Sequence, residues 1–203
     1  MVATVEVGQY LAVPFVFDET RARINEAILD GLTRLPVFPL PWTLPERQRA
    51  VAAWLTDPDN LVWEVWRGGE LVGILSLSRI VRGLDAVGHF AFFDRQLLGR
   101  RQLVLAMLRW AFSELDLQRL SVEIPDHLEP LIRFARTKLG FRYEGESLAE
   151  AHPVVGRLAE AGVNGPGRWM ARWGARRERA HFDGEQWHDV ALLRLLREEV
   201  PTS

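Results

Sequence analysis

The sequence predicts an α/β fold: a mixed, mostly antiparallel sheet of six to seven strands with helices on both faces. Three observations carry that expectation. Short β-branched and aromatic runs are joined by glycine turns, at Arg67-Gly68-Gly69-Glu70 and Arg82-Gly83-Leu84-Asp85, the signature of antiparallel hairpins. A strand–helix–strand unit occupies the middle of the chain and brings in a crossover connection. The 203 residues are 48% hydrophobic and 26% charged, a globular balance rather than a disordered or fibrous one. That length is read as one domain over 1–203.

Each element has a local reason. Val5 to Phe17 is rich in Val, Phe and Tyr and reads as an opening strand broken at Pro14. Asp18 caps a helical pattern with Ile24, Ala27, Ile28, Gly31 and Leu32 on one stripe. Leu35 to Trp42 holds three prolines and reads as an apolar loop, because proline cannot sit inside a helix. A second helix starts near Thr43 or Leu44, with Pro45 in its first turn, and runs to about Thr56. Strands follow over Leu61–Trp66, Leu71–Ile80 and Ala86–Phe93. A helix spans about Gly99 to Leu115, with Leu103, Met107 and Trp110 on one side and Val104, Leu108 and Ala111 adjoining. Leu120–Ile124 is a strand, Leu128–Leu139 a helix stopped by Gly140, and Arg142 to Glu146 opens another strand. The pattern weakens between about 150 and 176, which reads as an insert before a last strand over Trp187–Leu196.

Composition removes whole classes of function. With no cysteine there is no disulfide, zinc finger, iron–sulfur cluster or thiol nucleophile. The five histidines show no His-x-x-x-His spacing, so no metal site is expected. A net charge of −2 makes nucleic acid an unexpected partner for the whole surface. The first ten residues lack a basic start followed by an apolar run, and no window approaches the ~18 apolar residues of a membrane span. A cytoplasmic protein is expected, and a homo-oligomer is compatible with the sequence.

Three segments, in order, resemble the GNAT superfamily of acyl-CoA N-acyltransferases. Glu70-Leu71-Val72-Gly73-Ile74-Leu75-Ser76-Leu77 looks like the family's third strand after its glycine turn. Lys138-Leu139-Gly140-Phe141-Arg142-Tyr143-Glu144-Gly145 looks like the joint in its C-terminal half. Asp183-Gly184-Glu185-Gln186-Trp187-His188-Asp189-Val190, with Leu195-Leu196-Arg197-Glu198-Glu199, is similar to the ending of the branch that acetylates ribosomal-protein N-termini. The resemblance implies acetyl-CoA or another acyl-CoA as donor and a primary amine, on a small molecule or a peptide N-terminus, as acceptor.

In the family, the coenzyme pyrophosphate sits on backbone N–H groups at a helix N-terminus, in a turn written Gln/Arg-x-x-Gly-x-Gly/Ala. Here Leu98-Gly99-Arg100-Arg101-Gln102-Leu103 departs at all three defining positions. The shifted reading Gln96-Leu97-Leu98-Gly99-Arg100-Arg101 keeps the first two. Arg101 and Leu103 are expected to occupy pyrophosphate space, while Arg100 and Arg101 offer charge-assisted contacts to phosphate instead. At the family's Asn, Ser and Tyr positions on the following helix stand Glu129, Ile132 and Arg136.

Acyl transfer to an amine needs a proton acceptor, donors for the carbonyl oxygen and stabilisation of the departing thiolate. The resemblance places the oxyanion donor on backbone N–H groups within Phe90–Phe93, so Phe92 and Phe93 are expected beside the coenzyme arm, which pairs like an added strand. Candidate bases are Glu123, His89 and Asp94. Strand alternation puts Ser121 and Glu123 on the face opposite Val122 and Ile124. The resemblance implies that the proline-rich loop brings Phe38, Pro39 and Trp42 to the acceptor pocket. The insert contains Arg168, Trp169, Arg172, Trp173 and Arg176, residue types favoured as protein-interface anchors. Two expectations follow: an acyl-CoA-dependent N-acyltransferase, or a non-catalytic GNAT-fold component of a larger assembly such as a phage particle.

Overall fold

The computed structural model describes residues 3–33, 44–93, 100–144, 176–182 and 187–201. The N-terminal strand is a hairpin, not one run: β1 (Val5–Val7) turns at Gly8, φ +59°, into β2 (Tyr10–Pro14). Glycine in a two-residue turn supplies the positive φ that matches strand twist. Asp18 then accepts hydrogen bonds from the Thr20 N–H at 2.8 Å and its hydroxyl at 2.7 Å, capping a short 3-10 turn that leads into α1 (Ala22–Thr33). α2 (Leu44–Thr56) follows, with Pro45 in its first turn.

β3 (Leu61–Arg67) and β4 (Glu70–Val81) form the predicted hairpin, with Gly68 and Gly69 both at positive φ. β5 (Asp85–Phe92), α3 (Arg100–Glu114) and β6 (Arg119–Pro125) make the crossover unit. α4 (Glu129–Leu139) ends on Gly140 in the left-handed region, φ 84°, which lets the chain turn back at once. β7 (Arg142–Tyr143), β8 (Arg176–Phe182) and β9 (Trp187–Leu196) complete the sheet.

Among the described residues the sheet has nine strands, two more than the upper expectation, in the order β1-β2-β3-β4-β5-β6-β9-β7, with β8 also on β9. The surplus comes from the β1–β2 hairpin and from β8. Every pairing is antiparallel except β5 with β6.

Helices cover both faces. α3 and α4 press Leu103, Val104, Met107, Leu108, Ile132 and Ala135 onto a core shared with Trp63, Leu75, Leu120, Val122 and Leu193. On the opposite face α1 and α2 bury Ile28, Leu32, Val51 and Leu55 against Val62 and Ile74. A bulge decides which β4 residues serve which face. Val65 pairs with Gly73 but Trp66 pairs with Leu71, so Val72 is one residue extra and side-chain parity flips there. Leu71 and Ile74 therefore share the α1–α2 face, while Val72 and Leu75 share the other.

Candidate active site

The site begins where two strands part. β5 and β6 pair only through Asp85–Arg119, Ala86–Leu120 and Val87–Ser121, and then run on without a shared ladder. The Phe93 N–H donates to the Val72 carbonyl at 3.0 Å, and the β4–β5 register continues that pairing through Ala91–Ile74 and His89–Ser76. Alternate residues of an antiparallel strand turn their backbone groups to opposite neighbours. The N–H and C=O of Gly88, Phe90 and Phe92 consequently point toward β6. Past Gly88 that edge is unpaired with β6, leaving a wedge lined by strand-type donors and acceptors.

This parity separates two residues that the sequence grouped together. Phe92 directs its backbone into the wedge and its ring to the α3 face, where the Arg100 guanidinium lies 4.3 Å over it. Phe93 gives its N–H to β4, and its ring packs on Gly31 of α1 so tightly that a Cβ there would sit 2.7 Å away.

The expected filling of the phosphate turn by Leu103 is not what the fold does. Leu103 is fully buried in the α3 core. Arg101 turns to α4, its Nε donating to the Lys138 carbonyl at 2.8 Å. Gln102 is exposed at the helix start. Arg100 is also corrected: its side chain is fully buried against Phe92, so it does not present itself at the surface. Burial lowers its pKa from the ordinary arginine value, and Tyr10 opposes that. Among the described residues α3 begins at Arg100, and an α-helix leaves its first-turn amides without intrahelical partners. Leu98, Gly99 and Asp94 lie outside the described residues, as do Phe38, Pro39 and Trp42.

On the α1–α2 face a polar group gathers at the same level. Val62, Ser76 and His89 stand opposite one another across β3, β4 and β5. His89 and Glu123 each lie two residues past the last β5–β6 pair and on one face. His89 Nε2 is 2.9 Å from Ser78 Oγ, and its ring meets Trp54 of α2 edge-on at 5.8 Å. Burial lowers the His89 pKa to about 4; the Arg79 charge adds to that and Glu123 opposes it. The imidazole is therefore neutral near pH 7. Ser76 Oγ is buried with no hydrogen-bond partner among the described residues.

Glu123 receives a bond from Arg79 Nη2 at 2.7 Å. Two β4 residues, Arg79 and Ile80, oppose the single Ala86 of β5, and Arg79 takes φ 50° in that bulge. A left-handed arginine costs about 1–2 kcal/mol, whereas an exposed ion pair contributes about 0–1 kcal/mol. Stability alone does not account for the arrangement.

Ser78, Arg79, Trp54 and Tyr10 were not singled out from the sequence. Strand alternation points to Ser78, while the bulge that aims Arg79 has no glycine to announce it. On α4, Ile132 is buried in the core and the Arg136 guanidinium lies 4.4 Å over the Tyr143 ring. Arg176, read as the end of the insert, begins β8 opposite Ala191. Arg168, Trp169, Arg172 and Trp173 fall outside the described residues. No helix among them is long and apolar enough to cross a membrane.

A sheet with a crossover helix set over two diverging parallel strands defines the class to which comparison then assigns the chain. The model of the acetyltransferase (GNAT) family matches residues 29–141, more than half of the sequence, and the chain belongs to that family. Its members use acetyl-CoA. No curated protein sequence matches the chain. Among solved structures, a spermidine N-acetyltransferase from Vibrio cholerae in complex with CoA and spermine superposes with a TM-score of 0.63 at 14% identity, covering 94% of this chain and 97% of that one. A GNAT-family acetyltransferase from Bacillus anthracis gives a TM-score of 0.59 at 17% identity, covering 97% and 100%. At such identities the likeness concerns the fold.

Proposed function

We propose that this chain is an N-acyltransferase that moves an acetyl or related acyl group from acyl-CoA to a primary amine, acting as one GNAT-like domain over residues 1–203. The β5 edge at Phe90 and Phe92, which pairs with no strand on its β6 side among the described residues, carries the reading. It offers strand-type partners to a pantetheine arm, and the first-turn amides of α3 offer an anion site for the pyrophosphate. Bound acyl-CoA supplies the thioester. The chain's part is to orient it, with the Phe90 or Phe92 N–H as donor toward the carbonyl oxygen. Glu123, at the wedge on the acceptor face, attracts an ammonium group, and His89 beside it is held neutral by burial.

The acceptor is a small amine or a peptide N-terminus; the ending over 183–199, similar to the ribosomal-protein N-terminal branch, supports the second. We assign the protein a cytoplasmic setting and the capacity to self-associate, and the arginine- and tryptophan-rich segment around 168–176 a role in binding a protein partner.

Calorimetry with acetyl-CoA, followed by mass detection of acetylated spermidine and of a short peptide, tests this. We expect saturable binding and a product. No heat and no product at millimolar acetyl-CoA would overturn the enzyme and leave an inherited fold serving a larger assembly.

A further inference from the structure

We propose that Arg79 is a positioning residue for the transfer: from its left-handed bulge on β4 it reaches past β5 and fixes the Glu123 carboxylate of β6 on the acceptor side of the wedge. This inference rests on the acyltransferase reading above.

Three observations converge on it. Glu123 has left the β5 ladder, which stops at Ser121, and its strand pairing is to Leu192 of β9. The side of β6 that faces the wedge is thus not tied to β5 at this level by backbone. Arg79 supplies a link from β4, at 2.7 Å. The bulge that permits it places an arginine where the backbone favours glycine, at an energetic cost that the exposed ion pair does not recover. The Glu123 side chain is 26% exposed, mostly covered yet reachable from solvent. A carboxylate held there recognises a cationic amine, so the acceptor class is an ammonium rather than a neutral hydroxyl.

The same backbone logic provides a variant that separates function from folding. Arg79→Gly removes the side chain while relieving the positive φ. With acetyl-CoA and spermidine as the probe pair, R79G is expected to raise KM for spermidine by about tenfold, as lost ground-state positioning does. The KM for acetyl-CoA and the melting temperature are expected to stay at the wild-type values. Arg79→Lys should restore most of the affinity, and R79G combined with Glu123→Gln should be no worse than E123Q alone, because both changes remove one interaction. An unchanged spermidine KM in R79G, additive losses in the double variant, or equal losses for both substrates with a lowered melting temperature would each overturn the proposal. Wild-type protein that binds acetyl-CoA yet turns over neither spermidine nor a short peptide overturns Glu123 as the cation anchor. Wild-type protein that does not bind acetyl-CoA overturns the acyltransferase reading and this inference with it.

Discussion

At the scale of single residues, His89 makes a prediction whose sign follows from its burial. Its ordinary pKa is 6.5 and its folded value is about 4. Between those values the unfolded chain takes up a proton that the folded chain refuses, so stability falls as pH drops from 6.5 toward 4 and levels off below. The full effect is ~3 kcal/mol. Melting curves of wild type and His89→Gln across that window should diverge, with the variant flatter; parallel curves would show that the imidazole is not held neutral. Legibility at this scale depended on how local the cause is. Asp18 and Gly140 were readable because a cap is set by one side chain or one φ angle. Arg100 was misread as a surface phosphate contact. It stands at the head of the stripe Arg100, Leu103, Val104, Met107, all buried, and extending the helical period back one turn would have placed it inside. For Leu103 the helical period and the family alignment disagreed, and the period prevailed. Glu64 is nearly fully buried and ion-paired with Arg21 at 2.7 Å, a long-range contact that spacing along β3 cannot announce.

At the scale of elements, β4 does more than a regular strand. Its first bulge flips parity at Val72 and its second aims Arg79, and neither follows from alternation, because a bulge is a disagreement between two strands that one strand's sequence does not contain. Between the bulges Gly73 lets β5 approach. A Cβ at Gly73 would lie 2.5 Å from the Ala91 carbonyl oxygen and 2.7 Å from Phe92 Cδ1. The carbonyl is backbone and cannot swing aside, so Gly73→Ala should destabilise the fold by about 1–3 kcal/mol. It should also weaken acetyl-CoA binding by displacing Phe92. A melting temperature and calorimetric affinity equal to wild type would show that β5 has room to retreat. The strands over 61–92 were legible from alternation and glycine turns. The N-terminal hairpin was read as one strand because the Val, Phe and Tyr content of Val5 to Phe17 was followed and the turn at Gly8 within it was not, and β8 was missed because its run Arg176-Arg177-Glu178-Arg179 carries no apolar alternation.

At the scale of the whole molecule, the sheet is two halves meeting at a narrow seam. Only three residues of β5 pair with three of β6. The α1–α2 cluster takes its sheet residues from β3, β4 and β5, among them Val62, Ile74 and Ala91, whereas the core that α3 joins draws on both halves, from Trp63 of β3 to Leu193 of β9. The halves are therefore joined chiefly by helix packing, and a ligand that inserts as a strand supplies the backbone link the seam lacks. At 100 times its dissociation constant such a ligand adds ~2.7 kcal/mol to the folded state. Amide hydrogen exchange locates where that stabilisation enters. In the free protein the Ala91 and Phe93 amides, turned to β4, should exchange slowly, while those of Phe90 and Phe92, turned to the seam, should exchange faster. Saturation with acetyl-CoA should slow Phe90 and Phe92 by about tenfold, consistent with one added backbone hydrogen bond each at the upper end of ~0.5–1.5 kcal/mol. Ala91 and Phe93, already bonded, should change less. If the slowing falls on the odd-numbered residues, or on neither pair while the ligand is bound, the coenzyme does not lie along β5 and the wedge is not its site.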